Sequence, residues 1–428
     1  MLRLWRNPSA RSLFYQIAVV GGVAWLFYAA ISNALSNLRQ RGVSTGLSFL
    51  KNEAGISIPE TPPVPVDIRW LATIVLVLIL SFAVKSRGTR LLHVKVGPKY
   101  VNWVLWIVVL VVSVIAISHT EWIRYRPSEP YYLILFTGMA NSIRVGVAAA
   151  VGAVTLGFVL GVCQLSTNWL LRNLVRIGTE TARNIPMLLH VLFWYTLVLN
   201  VFPPVRGSVS IGGMVFLSNR GIFYPSIESV DFTILAYLAI LWAGILIVLL
   251  SRRATTTAAI VFILLAVLAS VGYASIWQAP ALRGFNFAGG AVLTPEYTAL
   301  FVGLVVYYAA FIADIVRSGI RSIPIGQWEG ASSLGLTRLT TIRRIIIPQA
   351  MRVIVPPLSN QMLGLAKDTS IGVAVAYPDF VAISRTVINQ TGQALEVMFL
   401  VMSFYLMINL TISSAMNLYN QKVRISER

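Results

Sequence analysis

Residues 317–348 read RSGIRSIPIGQWEGASSLGLTRLTTIRRIIIP, an ordered-looking stretch between two long apolar blocks. Pro324 and Gly326 suit a turn, and Gln327 to Leu334 suit about two helical turns. Gly335 fits the left-handed residue that ends a helix. Thr337 is placed to N-cap a second helix, Arg338 to Ile347, in which Leu339, Ile342 and Ile346 recur at helical spacing. Pro348 then marks re-entry to the membrane. Two short helices joined at a glycine can project into a groove on a soluble partner and transmit its rigid-body motion, with Glu329 offering a charge for a basic residue of that partner. An amphipathic hairpin lying on lipid fits the same composition.

The surroundings of this stretch are those of a membrane protein. The 428 residues are 57% hydrophobic and 11% charged, with a mean hydropathy of +0.76. A soluble chain carries about 25% charged residues. Ten apolar blocks approach the length of about 20 residues that a hydrocarbon core requires. They are 14–36, 69–84, 101–118, 142–164, 184–202, 232–250, 257–275, 296–316, 350–375 and 395–417. The second is short, and the ninth is irregular because it holds Pro356, Pro357, Gly364, Lys367 and Asp368. The expected class is therefore an all-α polytopic membrane protein with about ten transmembrane helices. The first block follows Arg3, Arg6 and Arg11 without a clear small-residue cleavage site, and reads as a retained anchor.

The net charge of +19 does not indicate nucleic acid, because the basic residues form short clusters between blocks. With an inside N-terminus, alternate connections hold 22 Lys and Arg on the cytoplasmic side against 9 outside. That bias expects both termini, and the 317–348 loop, in the cytoplasm. The Pro-rich stretch 61–65 and the Gly-rich stretches 207–213 and 284–290 then read as exposed outer connections. Cys163 is the only cysteine, and His93, His119 and His190 are far apart, so neither disulfides nor a metal site is expected. No internal repeat pairs the two halves, which speaks against a single-chain secondary transporter built by duplication.

Chemistry-bearing residues are few. The chain contains no Gly-Lys dipeptide and hence no phosphate-binding loop, so ATP-driven work needs a second polypeptide. Asp368 is the clearest carboxylate within a span, and Asp314 lies near the inner end of another; intramembrane ionisable residues default to function. Lys367 and Asp368 can border a solute path or stabilise a helix end. Thr369 and Ser370 can donate to a carboxylate, or bond their own backbone. Asn141 and Arg144 start the fourth span at the outer face, as anion guides or helix anchors. Glu180 and Arg183, preceding the fifth span, read as a structural ion pair rather than substrate contacts.

The spacing Glu329-Gly330-Ala331, three residues, Gly335, nine residues, Ile345, one residue, Ile347-Pro348 resembles the EAA loop of binding-protein-dependent ABC importers. Gly330 replaces the first Ala of that pattern and Ile347 its Leu. Further segments resemble the polar amino-acid uptake permeases: Ala313 to Ile320, Pro324-Ile325-Gly326-Gln327, Pro348-Gln349-Ala350 and Lys367-Asp368-Thr369-Ser370. In that group Glu is usual where Asp314 stands. Glu180, Arg183 and Pro186 resemble its Glu-x-x-Arg-Gly-Thr-Pro signature, with Asn184-Ile185 in place of Gly-Thr. The likeness covers about 138–202 and 296–417, and its arrangement is most similar to the Q-type permeases of general L-amino-acid importers.

The resemblance implies a five-helix type I ABC permease core at 138–417, with an inserted helix pair at about 232–275 and a coupling loop at 317–348. An extension with three helices at 1–135 would precede it, and a cytoplasmic tail at 418–428 would follow. It implies a multi-pass subunit of the bacterial inner membrane that translocates L-amino acids by alternating access. No catalytic residue, metal or cofactor is expected in this chain, since ATP and Mg would be used by the partner ATPase. Implied partners are ABC ATPase subunits, a second related permease, a periplasmic amino-acid-binding protein, the substrate and membrane lipid. The coupling residues implied are Gly326, Gln327, Glu329, Gly330, Ala331, Gly335, Ile345 and Pro348. Path candidates are Lys367, Asp368, Thr369, Ser370, Asn141 and Asp314; Glu180, Arg183 and Pro186 are structural or gating candidates. The rival readings are a secondary transporter or channel working without an ATPase, and a non-conducting assembly or sensor subunit.

Overall fold

The computed structural model describes residues 8–40, 46–59, 61–62, 64–65, 122–230 and 275–423. The apolar blocks 69–84, 101–118 and 232–250, and 257–275 except its last residue, lie outside the described residues. Helix α1 covers Pro8–Gln40, α2 Tyr131–Cys163, α3 Trp169–Asn184, α4 Met187–Val201 and α5 Pro295–Arg321. Helices α6 (Ile325–Ser333) and α7 (Arg338–Thr341) follow, then a π-helical turn, Ile342–Ile346. Helix α8 (Ile347–Asp368) runs into a 3-10 segment, Thr369–Val375, before α9 (Phe380–Thr391) and α10 (Ala394–Val423). Among the described residues, four helices are long and apolar enough to cross a membrane, or up to six spans if each of two bent pairs counts as one.

Three features depart from the sequence reading. Helix α2 begins at Tyr131, not near 142, because Tyr131 to Met139 is itself apolar and helical, and Asn141, Ser142 and Arg144 merely interrupt the hydropathy. Asn141 is therefore inside the helix rather than at its start. The span at 184–202 is instead a pair, α3 and α4, bent by 107°. Ile185 is extended ahead of Pro186, whose ring excludes a helical residue before it, so α3 stops there and α4 starts afresh. His190 Nε2 lies 2.8 Å from the Ala182 carbonyl and ties the two limbs across the bend. Finally, residues 380–391, between the ninth and tenth apolar blocks, are helical, capped by Asp379 and ended by Gly392 at φ 71°.

Helix α2 packs on α5 along Val145, Ala149, Ala153, Gly157 and Gly161, spaced four apart and all buried. Small residues at that spacing let two helix backbones approach closely. A Cβ on Gly157 would fall 2.6 Å from Ile312 Cβ, and one on Gly161 2.7 Å from Val316 Cβ. Leu300, Leu304, Ile312 and Val316 of α5 are fully buried against this ridge, with Val191 of α4 and Ile354 and Leu365 of α8 completing the core. A second cluster joins Leu133 and Ile134 of α2 to Phe380, Ile383 and Val387 of α9, Phe404 of α10 and Phe49. The α1 span Phe14–Asn33 contributes no buried residue, with Trp25 65% and Phe27 66% accessible.

Short strands replace the plain outer connections expected from Gly-rich sequence. Strands β1 (Val64–Pro65) and β2 (Trp122–Ile123) pair antiparallel. Between α4 and α5, β3 (Val209–Ile211), β4 (Val215–Ser218), β5 (Gly221–Tyr224) and β10 (Ala291–Leu293) form an antiparallel sheet in the order β10-β5-β4-β3. Strand β6 (Ser226–Val230) pairs with β7 (Ser275–Gln278), so segment 231–274 leaves and returns through one ladder. Strands β8 (Ala281–Arg283) and β9 (Asn286–Ala288) make a last hairpin.

Candidate functional site

The loop at 317–348 is a helical hairpin. Helix α6 ends where Leu336 N–H donates to the Ala331 carbonyl (3.1 Å) and Gly335 N–H to the Ser332 carbonyl (2.9 Å). With Gly335 at φ 69°, this is a Schellman turn, which consumes carbonyls a helix end otherwise leaves unpaired. Thr337 Oγ1 accepts from the Thr340 N–H and caps α7. The second limb is no separate helix ending at 347. It passes through the π turn, where Ile347 N–H donates to the Ile342 carbonyl, and continues as α8. The wide turn falls just before Pro348, which has no N–H and whose ring would crowd the carbonyl four residues back in a regular helix. The extra residue rotates α7 by about 100° relative to α8. That is why Leu339 and Ile346, expected on one face, separate: Ile346 is buried and Leu339 is 76% exposed.

The hairpin has two sides. Ala331 and Ile346 are buried, and Trp328 and Ile345 pack on the main core. Gln349 Nε2 donates to Gln327 Oε1 (3.1 Å) and to the Ile345 carbonyl (3.0 Å), linking α6 to the root of α8. Outward stand Ile325 at 73%, Leu334 at 79% and Leu339 at 76% exposure, together with exposed Gly326, Glu329 and Gly330. The result is a rigid protrusion with an apolar tip and one carboxylate.

Above the hairpin, Asp314 is held by two arginines. Its Oδ2 accepts from Arg183 Nη1 and its Oδ1 from Arg317 Nη2 at 2.8 Å. Glu180 does not pair with Arg183; it takes Arg176, one turn earlier on its own helix, at 2.7 Å. The spacing of Glu180 and Arg183 suggested a pair, but a four-residue separation aligns Glu180 with Arg176, while Arg183 faces α5. Asp314 thus clasps α3 to α5 just above the hairpin.

Deeper in the core, Tyr308 Oη donates to Asp368 Oδ2 at 2.7 Å. Helix α5 spans 27 residues, Pro295–Arg321, with Tyr308 near its middle, so this contact puts Asp368 at the mid-depth of α5. Lys367 is exposed. Thr369 Oγ1 donates to the Ala366 carbonyl (3.0 Å) and Ser370 Oγ to the Lys367 carbonyl (2.8 Å), the local back-bonding common for hydroxyls in helices. Asn141 is fully buried: its Nδ2 donates to the Pro378 carbonyl (2.9 Å) and its own carbonyl accepts from Tyr377 Oη (3.2 Å). Arg144 lies 4.8 Å over the Tyr297 ring. Both residues join α2 to its neighbours.

Sequence reasoning did not single out Tyr308, Gln349, Arg176 or Arg317 as partners. Tyr308 carries no sequence signal apart from being a phenol in mid-span, while the i,i+4 spacing of Arg176 and Glu180 was readable.

The chain matches the family model described as "Binding-protein-dependent transport system inner membrane component" over residues 153–425. It is 39% identical to the "Putative amino-acid ABC transporter permease protein YhdX" of Escherichia coli K12, over 99% of this chain and 96% of that one. It is 31% identical to the general L-amino acid transport system permease protein AapQ of Rhizobium johnstonii, over 99% and 94% of the two chains. The glutamate/glutamine/aspartate/asparagine transport system permease protein BztB of Rhodobacter capsulatus is 35% identical over 72% of this chain and 82% of its own. A family match over most of the chain, and relatives aligned nearly end to end, agree with the hairpin and the helical core: this protein belongs to the inner membrane components of binding-protein-dependent transport systems.

Proposed function

We propose that this chain is the permease subunit of an ABC importer that passes L-amino acids through the bacterial inner membrane by alternating access. The relatives named for amino-acid transport support the substrate class. The observation that carries the reading is the hairpin itself: a capped, buried-root protrusion exposing Ile325, Leu334 and Leu339 beside Glu329. An apolar tip held this rigidly suits a groove on a soluble partner better than free solvent. ATP and Mg are used by separate ATPase chains that dock on this tip, and both termini lie on the same, cytoplasmic side. A second related permease completes the pore, and a periplasmic amino-acid-binding protein delivers the solute.

In this reading Lys367 and Asp368 border the path. The Tyr308 bond keeps the Asp368 carboxylate at mid-span, where an ionised group is costly unless it serves transport. Thr369, Ser370 and Asn141 support the fold of that region, and Asp314, Arg183 and Pro186 hold the limb that moves with α5.

Reconstitution with candidate ATPases, intact and hydrolysis-dead, tests the proposal. Amino-acid uptake requires the intact ATPase. Uptake that persists with the dead one, or follows a proton or sodium gradient alone, sinks it in favour of a secondary carrier. Assembly without any solute flux would instead make this a non-conducting subunit.

A further inference from the structure

Next to the root of the hairpin lies a cavity of about 260 Å³, lined by Gln164, Arg172, Asn173, Arg176, Arg317 and Arg321. Four of its six lining residues are cationic. Arg176 is matched by Glu180, and Arg317 shares Asp314 with Arg183. Among the described residues no carboxylate pairs with Arg172 or Arg321, so the site keeps a surplus of positive charge. The C-terminal carbonyls of α5 attract Arg321, which sits in its last turn. No such help exists for Arg172. It stands one turn into α3, beside the positive end of that helix dipole, where a cation is disfavoured unless an anion joins it.

Helix α3 also has a second outward face. Leu170, Leu174 and Ile177 are 65%, 67% and 63% exposed, and recur at i, i+4 and i+7. Its inward face is marked by buried Thr179 and Ala182. The arginines Arg172, Arg176 and Arg183 occupy a separate arc, roughly opposite the apolar stripe at about 100° per residue. A helix with an apolar outer stripe and a basic flank lies in the membrane interface, its stripe among acyl chains and its cations at headgroup level. Gln164 also lines the cavity. It is 2% exposed, its Nε2 donates to Thr179 Oγ1 at 2.9 Å, and its Oε1 has no partner.

We infer that this cavity is a binding site for the phosphodiester headgroup of an anionic phospholipid, gripped between Arg172 of α3 and Arg321 of α5. The unpartnered Gln164 oxygen is sealed from solvent and takes no part in the grip, which rests on the two arginines. The apolar stripe, on the side of α3 away from these arginines, holds that helix at the bilayer surface, so anionic headgroups are the concentrated anions within reach of the cavity. Arg321 is followed by Ser322, Ile323 and Pro324 and then by α6, so the headgroup staples α3 to the root of the hairpin. This inference does not depend on the amino-acid reading.

The test uses the intact chain in nanodiscs of phosphatidylcholine, alone or mixed with phosphatidylglycerol. Phosphatidylglycerol is retained in native mass spectra and raises the unfolding midpoint. The double variant R172Q/R321Q loses that gain, with binding weakened roughly tenfold to thirtyfold for two cations removed from an anionic surface. Its midpoint in phosphatidylcholine stays near that of wild type, because the helix-end effects at the two positions oppose each other and, among the described residues, neither side chain is ion-paired; R172K/R321K restores most of the effect. Four results overturn the inference. Phosphatidylcholine protects equally; the double variant binds phosphatidylglycerol normally; inorganic phosphate protects as well as lipid; or the variant loses only ATPase binding, which makes the cavity a protein contact.

Discussion

Gly335 offers the cleanest test of whether the hairpin's shape, rather than any one contact, does the coupling. It sits at φ 69°, and a Cβ built there meets no atom within 4 Å. Any penalty of substitution is therefore conformational, with no steric clash to confuse it. An L-residue with a Cβ loses about 1–2 kcal/mol in the left-handed region, a β-branched one more, whereas Asn enters it with little loss. The order expected is Gly close to Asn, then Ala, then Val. If the free loop relaxes out of the Schellman turn and docking re-imposes it, about 1 kcal/mol weakens ATPase binding roughly fivefold for Ala, and about 2 kcal/mol weakens it roughly thirtyfold for Val. Binding of the purified ATPase to the permease in nanodiscs, followed by fluorescence titration, measures this, and membrane insertion should be unchanged in all four proteins. If Asn were as damaging as Val, or Ala and Val were both harmless, the backbone argument would fail. The first outcome would point to direct contact at this position, the second to a loop whose turn is irrelevant.

Four further outcomes follow from the geometry. Asp314→Asn removes the shared partner of Arg183 and Arg317, which are 28% and 25% exposed, and should cost about 1–2 kcal/mol in thermal or denaturant unfolding. Gly161→Leu forces bulk against Val316 and the Ala313 carbonyl and should destabilise the α2–α5 contact by about 2–3 kcal/mol, visible as a lower midpoint in detergent. Tyr308→Phe deprives Asp368 of its hydroxyl donor; at about 1.5 kcal/mol for a bond to a charged group, uptake should fall about tenfold with ATPase docking intact. Pro348→Ala permits a regular helix through 342–347, so α7 should rotate and ATPase binding should drop, with cross-linking from Leu339 reporting the new direction.

The hairpin was legible because each of its parts is local: a capping Thr337, a left-handed Gly335 and a proline all act within a few residues. The same logic was available for α9, with Asp379 as its cap and Gly392 at its end, but the short length of that helix hid it beneath the membrane-span pattern. The bend at Pro186 was also local, yet hydropathy averages across it and joins Ile185 to Met187 as one block. What could not be read were the partners. Arg183 finds Asp314 across 131 residues of sequence, and Tyr308 finds Asp368 across 60. Charge and spacing state that such groups need a partner, but only helix packing states which one.

That packing also gives the proposed coupling a physical route from the loop to groups inside the membrane. From Arg338 to Asp368 the backbone is helical without a break, through α7, the π turn and α8. At about 1.5 Å per residue this is a rod of roughly 45 Å, longer than the hydrocarbon core is thick. No loop therefore lies between the exposed Leu339 end and Asp368. Two places along the rod can yield. One is the π turn, which sets the direction of the tip. The other is Pro356-Pro357, where two N–H donors are missing from the helix ladder. Gly319, whose missing side chain lets Ile354 approach closely, fixes α8 to α5 just before those prolines. Under the proposed alternating access this contact would serve as a fulcrum: below it the rod would move with the hairpin, and above it the prolines would let the Asp368 end swing against Tyr308.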